Sequence, residues 1–288
     1  MNAVGLSSFV LATPFTDRSL ALLPGVRDVG YDLVEISLAE LESVNPRQLG
    51  RVASDCGLRL RIAGDFGTDR DISSADAMRR AGGLDYLLGC LDFAAEAGAD
   101  MVTGPMYSAV GSRGFLDQAA RSRALGWAAE NLAVAAERAD RLDLRLAIEP
   151  LNRFESNLIN TVDQGLALCA AVGSRRVGLS LDTFHLNIEE KDLVGAIVTA
   201  GPQLLSFQVS ENDRGTPGSG HIAWPSIFAA LRTVEYDGPV IVESFRSDDI
   251  ELVNALSLWR PVADSMDRLA RDGLDFVREQ LRLSHGAT

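Results

Sequence analysis

The chain has 288 residues, 47% of them hydrophobic and 23% charged, which is close to the average for globular proteins and excludes a disordered or fibrous chain. The 40 acidic residues outnumber 27 basic ones, and the resulting net charge of −13 disfavours nucleic acid as a partner. No apolar run is long enough to predict a membrane span, and Met1–Val10 lacks the basic start of a secretory signal. Three widely spaced cysteines favour reduced thiols, so we expect a cytoplasmic protein.

Short β-rich runs alternate with longer amphipathic stretches along the chain. The predicted strands, in chain order, are Gly5–Leu11, Asp32–Ser37, Leu58–Ala63, Asp100–Thr103, Leu144–Glu149, Val177–Asp182, Leu204–Ser210 and Val240–Ser244. Eight strand–helix units in 288 residues match the size of a closed (β/α)8 TIM barrel. We therefore expect an α/β fold with a single barrel domain over residues 1–288. An open doubly wound sheet is the alternative, but no glycine-rich phosphate loop follows the first strand.

Polar residues stand at the ends of four late strands. Glu149, Asp182 and Glu243 end otherwise apolar runs, and strand alternation places Gln208 on the inward face of the seventh strand. Because the active site of such a barrel lies at the carboxyl ends of its strands, these four side chains are expected to converge at its mouth.

Converging carboxylates repel one another unless a proton or a cation neutralises them. A divalent metal bound by Glu149, Asp182, Gln208 and Glu243 would do so, and an all-oxygen ligand set favours Mn²⁺ or Mg²⁺ over Zn²⁺. The plainer alternative is that each acid caps the following helix or pairs with an arginine.

Two segments that contain these acids, residues 149–155 (EPLNRFE) and 181–187 (LDTFHLN), resemble the ketose 3-epimerases. This group acts on D-tagatose, D-allulose or L-ribulose and belongs to the xylose-isomerase-like TIM barrels. Residues 211–215 (ENDRG), 242–245 (VESF) and 258–260 (LWR) are similar to later motifs of the same family. The resemblance extends over nearly the whole chain.

The resemblance implies a role for each of seven positions. Metal ligands are implied at Glu149, Asp182, Gln208 and Glu243, an acid/base pair at Glu149 and Glu243, and substrate-binding groups at Glu155, His185 and Arg214. The implied cofactor is a divalent metal, Mn²⁺ first, with Mg²⁺ or Co²⁺ as alternatives. The family usually has histidine where this chain has Gln208, and that departure leaves the choice of metal and the identity of the substrate open.

Epimerisation beside a ketone needs a proton removed from one face of a carbon and returned to the other. Glu149 and Glu243 follow strands three apart around the ring, so they can face each other across the mouth. We therefore expect a metal-dependent sugar epimerase or isomerase that inverts C3 of a free ketose, as a homo-oligomer (dimer or tetramer).

Three other functions stay open at this point. A lyase on the same barrel would cleave 3-keto-glycosides by β-elimination, together with a small partner subunit. A sugar-binding barrel without catalytic activity is the second. A nucleic-acid endonuclease is the third, and only three histidines together with the negative charge argue against it. We expect His221, in a glycine-rich stretch, to serve a loop rather than the site.

Overall fold

The computed structural model describes residues 2–286 and contains eight parallel strands that close into one barrel in sequence order. The strands are β1 Val4–Ser7, β2 Leu33–Leu38, β3 Arg59–Gly64, β4 Met101–Gly104, β5 Arg145–Ile148, β6 Val177–Asp182, β7 Leu204–Val209 and β8 Val240–Val242. Each strand pairs with the next in sequence, and the barrel closes where Val4 of β1 pairs with Val240 of β8. The predicted TIM barrel is confirmed, and all eight predicted strands are present.

Helices follow the strands on the outside of the barrel. They are α1 Leu23–Val29, α2 Pro46–Cys56, α3 Ala77–Ala97, α4 Gln118–Leu142, α5 Val162–Val172, α6 Thr183–Glu189, α7 Leu193–Ala200, α8 Trp224–Thr233, α9 Ile250–Ala255 and α10 Met266–Gly286. Four short 3-10 helices lie at Ser8–Val10, Asp17–Leu22, Leu41–Ser43 and Gly201–Gln203. No helix within residues 2–286 is both long and apolar enough to cross a membrane.

Local side chains decide where the helices begin and end. The Asp117 carboxylate accepts a hydrogen bond from the Ala120 backbone N–H and so starts α4. Gly98 ends α3 with φ +75°, a conformation in which glycine has no side-chain clash. α8 ends at Thr233 without a glycine, and Glu235 takes the left-handed conformation with φ +54°.

Four strands end earlier than their sequences predict, β7 by one residue at Val209. β1 stops at Ser7 because a 3-10 helix capped by the Ser7 hydroxyl begins at the next residue. β5 stops before Glu149, where Pro150 follows, and β8 stops before Glu243. Both glutamates therefore stand just beyond their strands, on the rim of the barrel.

Alternation along each strand separates an apolar outer face from the barrel lumen. On β2, Val34 and Ile36 are fully buried in the core beneath the helices, whereas Glu35 between them faces the lumen, where it meets Gln208 of β7. Each large apolar side chain buried in this way contributes about 1.5–3 kcal/mol. The core stabilises the barrel, and the lumen is left free to carry polar groups. One domain over residues 1–288 stays a prediction.

Candidate active site

The acids predicted at the strand ends do come together at the mouth. Glu149, Asp182 and Glu243 are 8%, 1% and 6% exposed. One ligand atom from each of Glu149, Asp182 and His185 lies within 4.8 Å of the other two, close enough to hold one metal ion. The late strands thus form a buried acidic centre. It includes His185, for which the sequence resemblance implied a role in substrate binding.

Backbone pairing holds Glu149 in place beyond the end of β5. Its N–H donates to the carbonyl of Gly104 on β4 at 3.1 Å, so the pairing of the two strands extends one residue past Ile148. The side chain of Glu149 consequently starts from a rigid part of the barrel.

Asp182 has two structural roles besides its place in the centre. It is the last residue of β6 and the N-cap of α6, where its carboxylate accepts from the Phe184 backbone N–H at 2.9 Å. Because α6 begins immediately, His185 lies on its first turn, with Nε2 at 3.5 Å from Glu149 Oε1 and 3.7 Å from Asp182 Oδ2.

Arg214 lies between two of the acids and is 3% exposed. Its Nη1 is 2.5 Å from Asp182 Oδ2 and 3.1 Å from Glu243 Oε2. Its guanidinium also stacks over the ring of Phe184, with its central carbon 3.9 Å from the ring centroid. Arg214 is therefore a buried residue of the acidic centre and not part of a surface ion pair.

The loop between β7 and α8 holds Arg214 in an unusual backbone conformation, with φ +64°. Glu211, which is fully buried, organises this loop by accepting hydrogen bonds from the backbone N–H groups of Gly218 and Ile222 and from the indole of Trp224. Ser244 donates to the Arg214 carbonyl at 2.6 Å. The position of the guanidinium is therefore fixed from both β7 and β8.

Gln208 faces the lumen, as strand alternation predicts, and is 2% exposed. Its amide nitrogen donates to Glu35 Oε1 at 3.0 Å and to Glu243 Oε1 at 3.3 Å. Its amide oxygen accepts from the Ser180 hydroxyl at 3.3 Å. In this arrangement the nitrogen, not the oxygen, lies toward the acidic centre.

Glu155 is buried beside the centre and is not a solvated acid. Its Oε1 accepts from the Asn152 side chain at 2.7 Å, and the Asn152 backbone N–H lies 3.2 Å from His185 Nδ1. Asn152 thus joins two of the predicted substrate-binding residues. His221 lies exposed on the loop before α8.

Burial and mutual repulsion set the ionisation of the cluster. Burial, together with the nearby charges of Glu243 and Asp182, raises the pKa of Glu149 well above its usual value. Burial also raises the pKa of Glu243, although Arg214 opposes this. Burial acts on Asp182 in the same sense, but Arg214 and His185 outweigh it and hold its pKa below the usual value. Burial lowers the pKa of His185 and favours its neutral form.

The cluster fits a divalent cation better than it fits the plainer alternative. Asp182 does cap a helix and pair with an arginine, but the single guanidinium of Arg214 cannot balance Glu149, Asp182 and Glu243 together. Since buried charges need partners, the raised pKa values of the two glutamates mark a deficit of positive charge. Carboxylate oxygens beside a neutral imidazole form a donor set that suits Mn²⁺ and related ions.

Three residues of this region were missed by the sequence reasoning: Glu35, Asn152 and Glu211. Glu35 carried a usable signal, because an acid at an inward position of the apolar run Leu33–Leu38 needs a partner in the lumen. Asn152 and Glu211 carried no such signal, because the contact of Asn152 with His185 and those of Glu211 with Gly218, Ile222 and Trp224 depend on how their loops fold.

Comparison with known proteins agrees with this geometry. Residues 25–280 match the family described as xylose isomerase-like TIM barrel. The chain is 35% identical over 283 residues to the L-ribulose 3-epimerase of Mesorhizobium japonicum, covering 96% of this chain and 93% of that one. It is 34% identical over 275 residues to a protein of Synechocystis named "Probable ketose 3-epimerase", covering 96% and 95%.

A solved structure of an L-ribulose 3-epimerase superposes on this fold with a TM-score of 0.94. It is 32% identical, and the match covers 99% of this chain and 96% of that one. The resemblance found in the sequence motifs is confirmed: this chain belongs to the ketose 3-epimerases of the xylose isomerase-like TIM barrel family.

Proposed function

We propose that this protein is a metal-dependent epimerase that inverts C3 of a free ketose. One observation carries the proposal: two buried carboxyl groups, Glu149 after β5 and Glu243 after β8, belong to one cluster, and burial and neighbouring carboxyl groups raise the pKa of each. Relatives named ketose 3-epimerase and L-ribulose 3-epimerase support a ketose as substrate.

Glu149, Asp182 and Glu243 are proposed as ligands of a divalent ion, Mn²⁺ first and Mg²⁺ or Co²⁺ as alternatives. The ligand atoms that lie within 4.8 Å of one another belong to Glu149, Asp182 and His185. When bound, such an ion neutralises negative charge that develops on the ketose oxygens as the proton leaves. Gln208 as a further ligand stays a prediction, because its amide oxygen is bonded to Ser180.

Glu149 and Glu243 move the protons. One carboxylate removes the C3 proton from its face of the sugar, and the other carboxyl group returns a proton to the opposite face. Their raised pKa values support this exchange of roles, since a carboxyl group with a higher pKa is a stronger base and still holds a proton nearer neutral pH. In the reverse direction the two residues exchange tasks.

Glu155, His185 and Arg214 are proposed to bind the oxygens of the ketose. Arg214 offers N–H donors inside the cluster, His185 offers a ring nitrogen, and Glu155 offers a carboxylate acceptor held by Asn152. The rings of Phe184 and Phe245 cover the guanidinium of Arg214, which keeps water away from it. These contacts fix the orientation in which C3 meets the two glutamates.

Isotope exchange tests the proposed reaction. The protein is incubated with Mn²⁺ and single ketoses in D₂O, and the sugars are separated and examined by NMR. We expect the C3 epimer, deuterated at C3, with total sugar conserved. If no ketose is epimerised but a 3-keto-glycoside releases its aglycone, the lyase alternative replaces this proposal.

The assembly and location of the protein remain part of the proposal. We propose a homo-oligomer, dimer or tetramer, in the cytoplasm. Light scattering on the purified protein measures the first, and co-purification of a small second subunit would favour the lyase instead.

A further inference from the structure

Another carboxyl group, that of Glu35, lies inside the barrel below the acidic centre. Glu35 is the third residue of β2, on the early side of the barrel, and is 1% exposed. Its Oε1 accepts from the Gln208 amide nitrogen at 3.0 Å, and its Oε2 accepts from the Thr103 hydroxyl at 3.1 Å. Both oxygens are thus held, one by β7 and the other by β4.

The hydrogen bonds of Gln208 favour one orientation of its amide. The nitrogen donates to Glu35 and Glu243, and the oxygen accepts from Ser180. Turning the amide over would place its carbonyl oxygen against the carboxyl oxygens of Glu35 and Glu243, whereas the Ser180 hydroxyl can donate or accept and fits either orientation. Glu35 therefore favours the orientation in which Gln208 presents a donor to Glu243.

Glu243 is held at both oxygens as a result. Oε1 accepts from Gln208 at 3.3 Å, and Oε2 accepts from Arg214 Nη1 at 3.1 Å. Arg214 is itself fixed by its loop, so the remaining freedom of the Glu243 carboxyl group depends on Gln208. A chain of contacts then runs from Glu35 through Gln208 to the proposed acid/base.

Arg61 supplies positive charge that lowers the pKa of Glu35, although burial has the larger effect and raises it. Arg61 of β3 lies in register with Glu35, donates to Ser206 at 2.9 Å and pairs with Asp100 at 3.3 Å. The side chains of Glu35, Arg61 and Ser206 therefore form a polar layer inside the barrel, below the acidic centre.

We propose that Glu35 is a positioning residue, which holds the Gln208 amide so that Gln208 fixes the Glu243 carboxyl group for proton transfer. This inference rests on the proposed epimerase function. A residue of this kind affects the chemical step more than substrate binding, since it touches neither the sugar nor the groups proposed to bind it.

A double-mutant cycle tests the link. Glu35→Met, Gln208→Met and the double variant are assayed with Mn²⁺ and a ketose that the wild type epimerises. Glu35→Met should lower kcat about 10-fold or more, as is usual for residues that orient active-site ligands, with KM within about twofold. Gln208→Met should lower kcat similarly, and the double variant should lose no more than either single variant, because both remove the same contact chain.

Two matched variants separate positioning from general damage to the lumen. Glu35→Gln keeps an acceptor oxygen for Gln208 and should retain kcat within about threefold. Ser206→Ala removes a buried lumen hydroxyl that is bonded to Arg61, so kcat should stay unchanged. Thermal unfolding and Mn²⁺ affinity by calorimetry are measured for all variants, and Gln208→Met tests the link should Glu35→Met fold poorly.

The results that would overturn the inference differ from those that would overturn the proposed function. Wild-type kcat in Glu35→Met, or additive losses in the double variant, would overturn the positioning role alone. Loss of Mn²⁺ binding in Gln208→Met but not in Glu35→Met would assign Gln208 to the ion and also overturn it. A wild-type protein that epimerises no ketose would overturn the proposed function, and this inference with it.

Discussion

The late half of the barrel, β5 to β8, and the early half, β1 to β4, both place carboxyl groups inside, but at different depths. Glu149 and Glu243 stand beyond their strands on the rim, where they are 8% and 6% exposed. Glu35 stands three residues into β2, with both oxygens bonded to protein groups. The same chemical group belongs to the proposed reaction centre at the rim and to a hydrogen-bonded polar layer in the lumen.

The charge balance of the two halves differs in the same way. In the early half, Arg61 lies in register with Glu35 and lowers its pKa, against a larger increase caused by burial. In the late half, Arg214 pairs with both Asp182 and Glu243. Burial and the nearby charges of Glu243 and Asp182 raise the pKa of Glu149. The need for an external cation therefore falls on the late half.

Removal of metal should have the largest effect on the late half. Dialysis against EDTA should abolish epimerisation, and Mn²⁺ should restore it, because Glu149, Asp182 and Glu243 carry more negative charge than Arg214 balances. Turnover is measured alongside elemental analysis. Full activity in protein shown to be metal-free would contradict the metal hypothesis. It would show that the late half needs no bound cation.

Neutralising either rim glutamate should have the next largest effect. Glu149→Gln and Glu243→Gln should each lower kcat at least about 10²-fold, the usual contribution of a general acid or base. Bound Mn²⁺ must be measured in each variant, since both side chains are also proposed ligands. A variant that keeps its ion and a near-normal kcat would remove that glutamate from proton transfer.

Replacing the shared arginine should weaken binding more than chemistry. Arg214→Lys keeps the charge but loses the planar fork, so KM should rise about tenfold, equivalent to one charge-assisted hydrogen bond of about 1.5 kcal/mol. Arg246→Lys is the matched control, because this arginine lies at the same end of the barrel and pairs with Asp248 instead. Equal effects of the two substitutions on KM would argue against a substrate contact by Arg214.

The smallest effect on turnover should come from a backbone substitution at the end of β4, where the two halves of the barrel meet. Gly104, at the end of β4, has φ +120°, and a Cβ there would lie 3.0 Å from the Gly64 carbonyl. Gly104→Ala should therefore cost about 1–3 kcal/mol of stability. It should also reduce kcat, because the Gly104 carbonyl holds the Glu149 N–H.

An exposed helical glycine provides the control for that substitution. Gly126 of α4 faces open space, and Gly126→Ala should raise the free energy of unfolding by about 0.5–1 kcal/mol. Chemical denaturation measures both variants. If the two alanines change stability alike, β4 does not constrain the rim as described.

Strand periodicity and residue type were enough to predict much of the molecule. The alternation of strand and helix gave the closed barrel, because eight such units in this length have few other ways to bury their apolar faces. The inward direction of Gln208 followed from the two-residue period of a strand. The acids at the ends of β5, β6 and β8 were expected to meet because parallel strands end at one rim.

Sequence reasoning failed where partners are distant along the chain. No local pattern shows that Arg214 contacts Asp182 and Glu243, which are 32 and 29 residues away. Sequence reasoning did not find Glu35, which is 173 residues from Gln208.

The sequence by itself determined the barrel, the late-strand acids and the family, since these depend on local periodicity and on motifs within short segments. The tertiary structure alone decided which oxygen meets which donor. Hydrogen bonds are short and directional, so the partners that the fold places around the Gln208 amide determine whether it presents nitrogen or oxygen to Glu243.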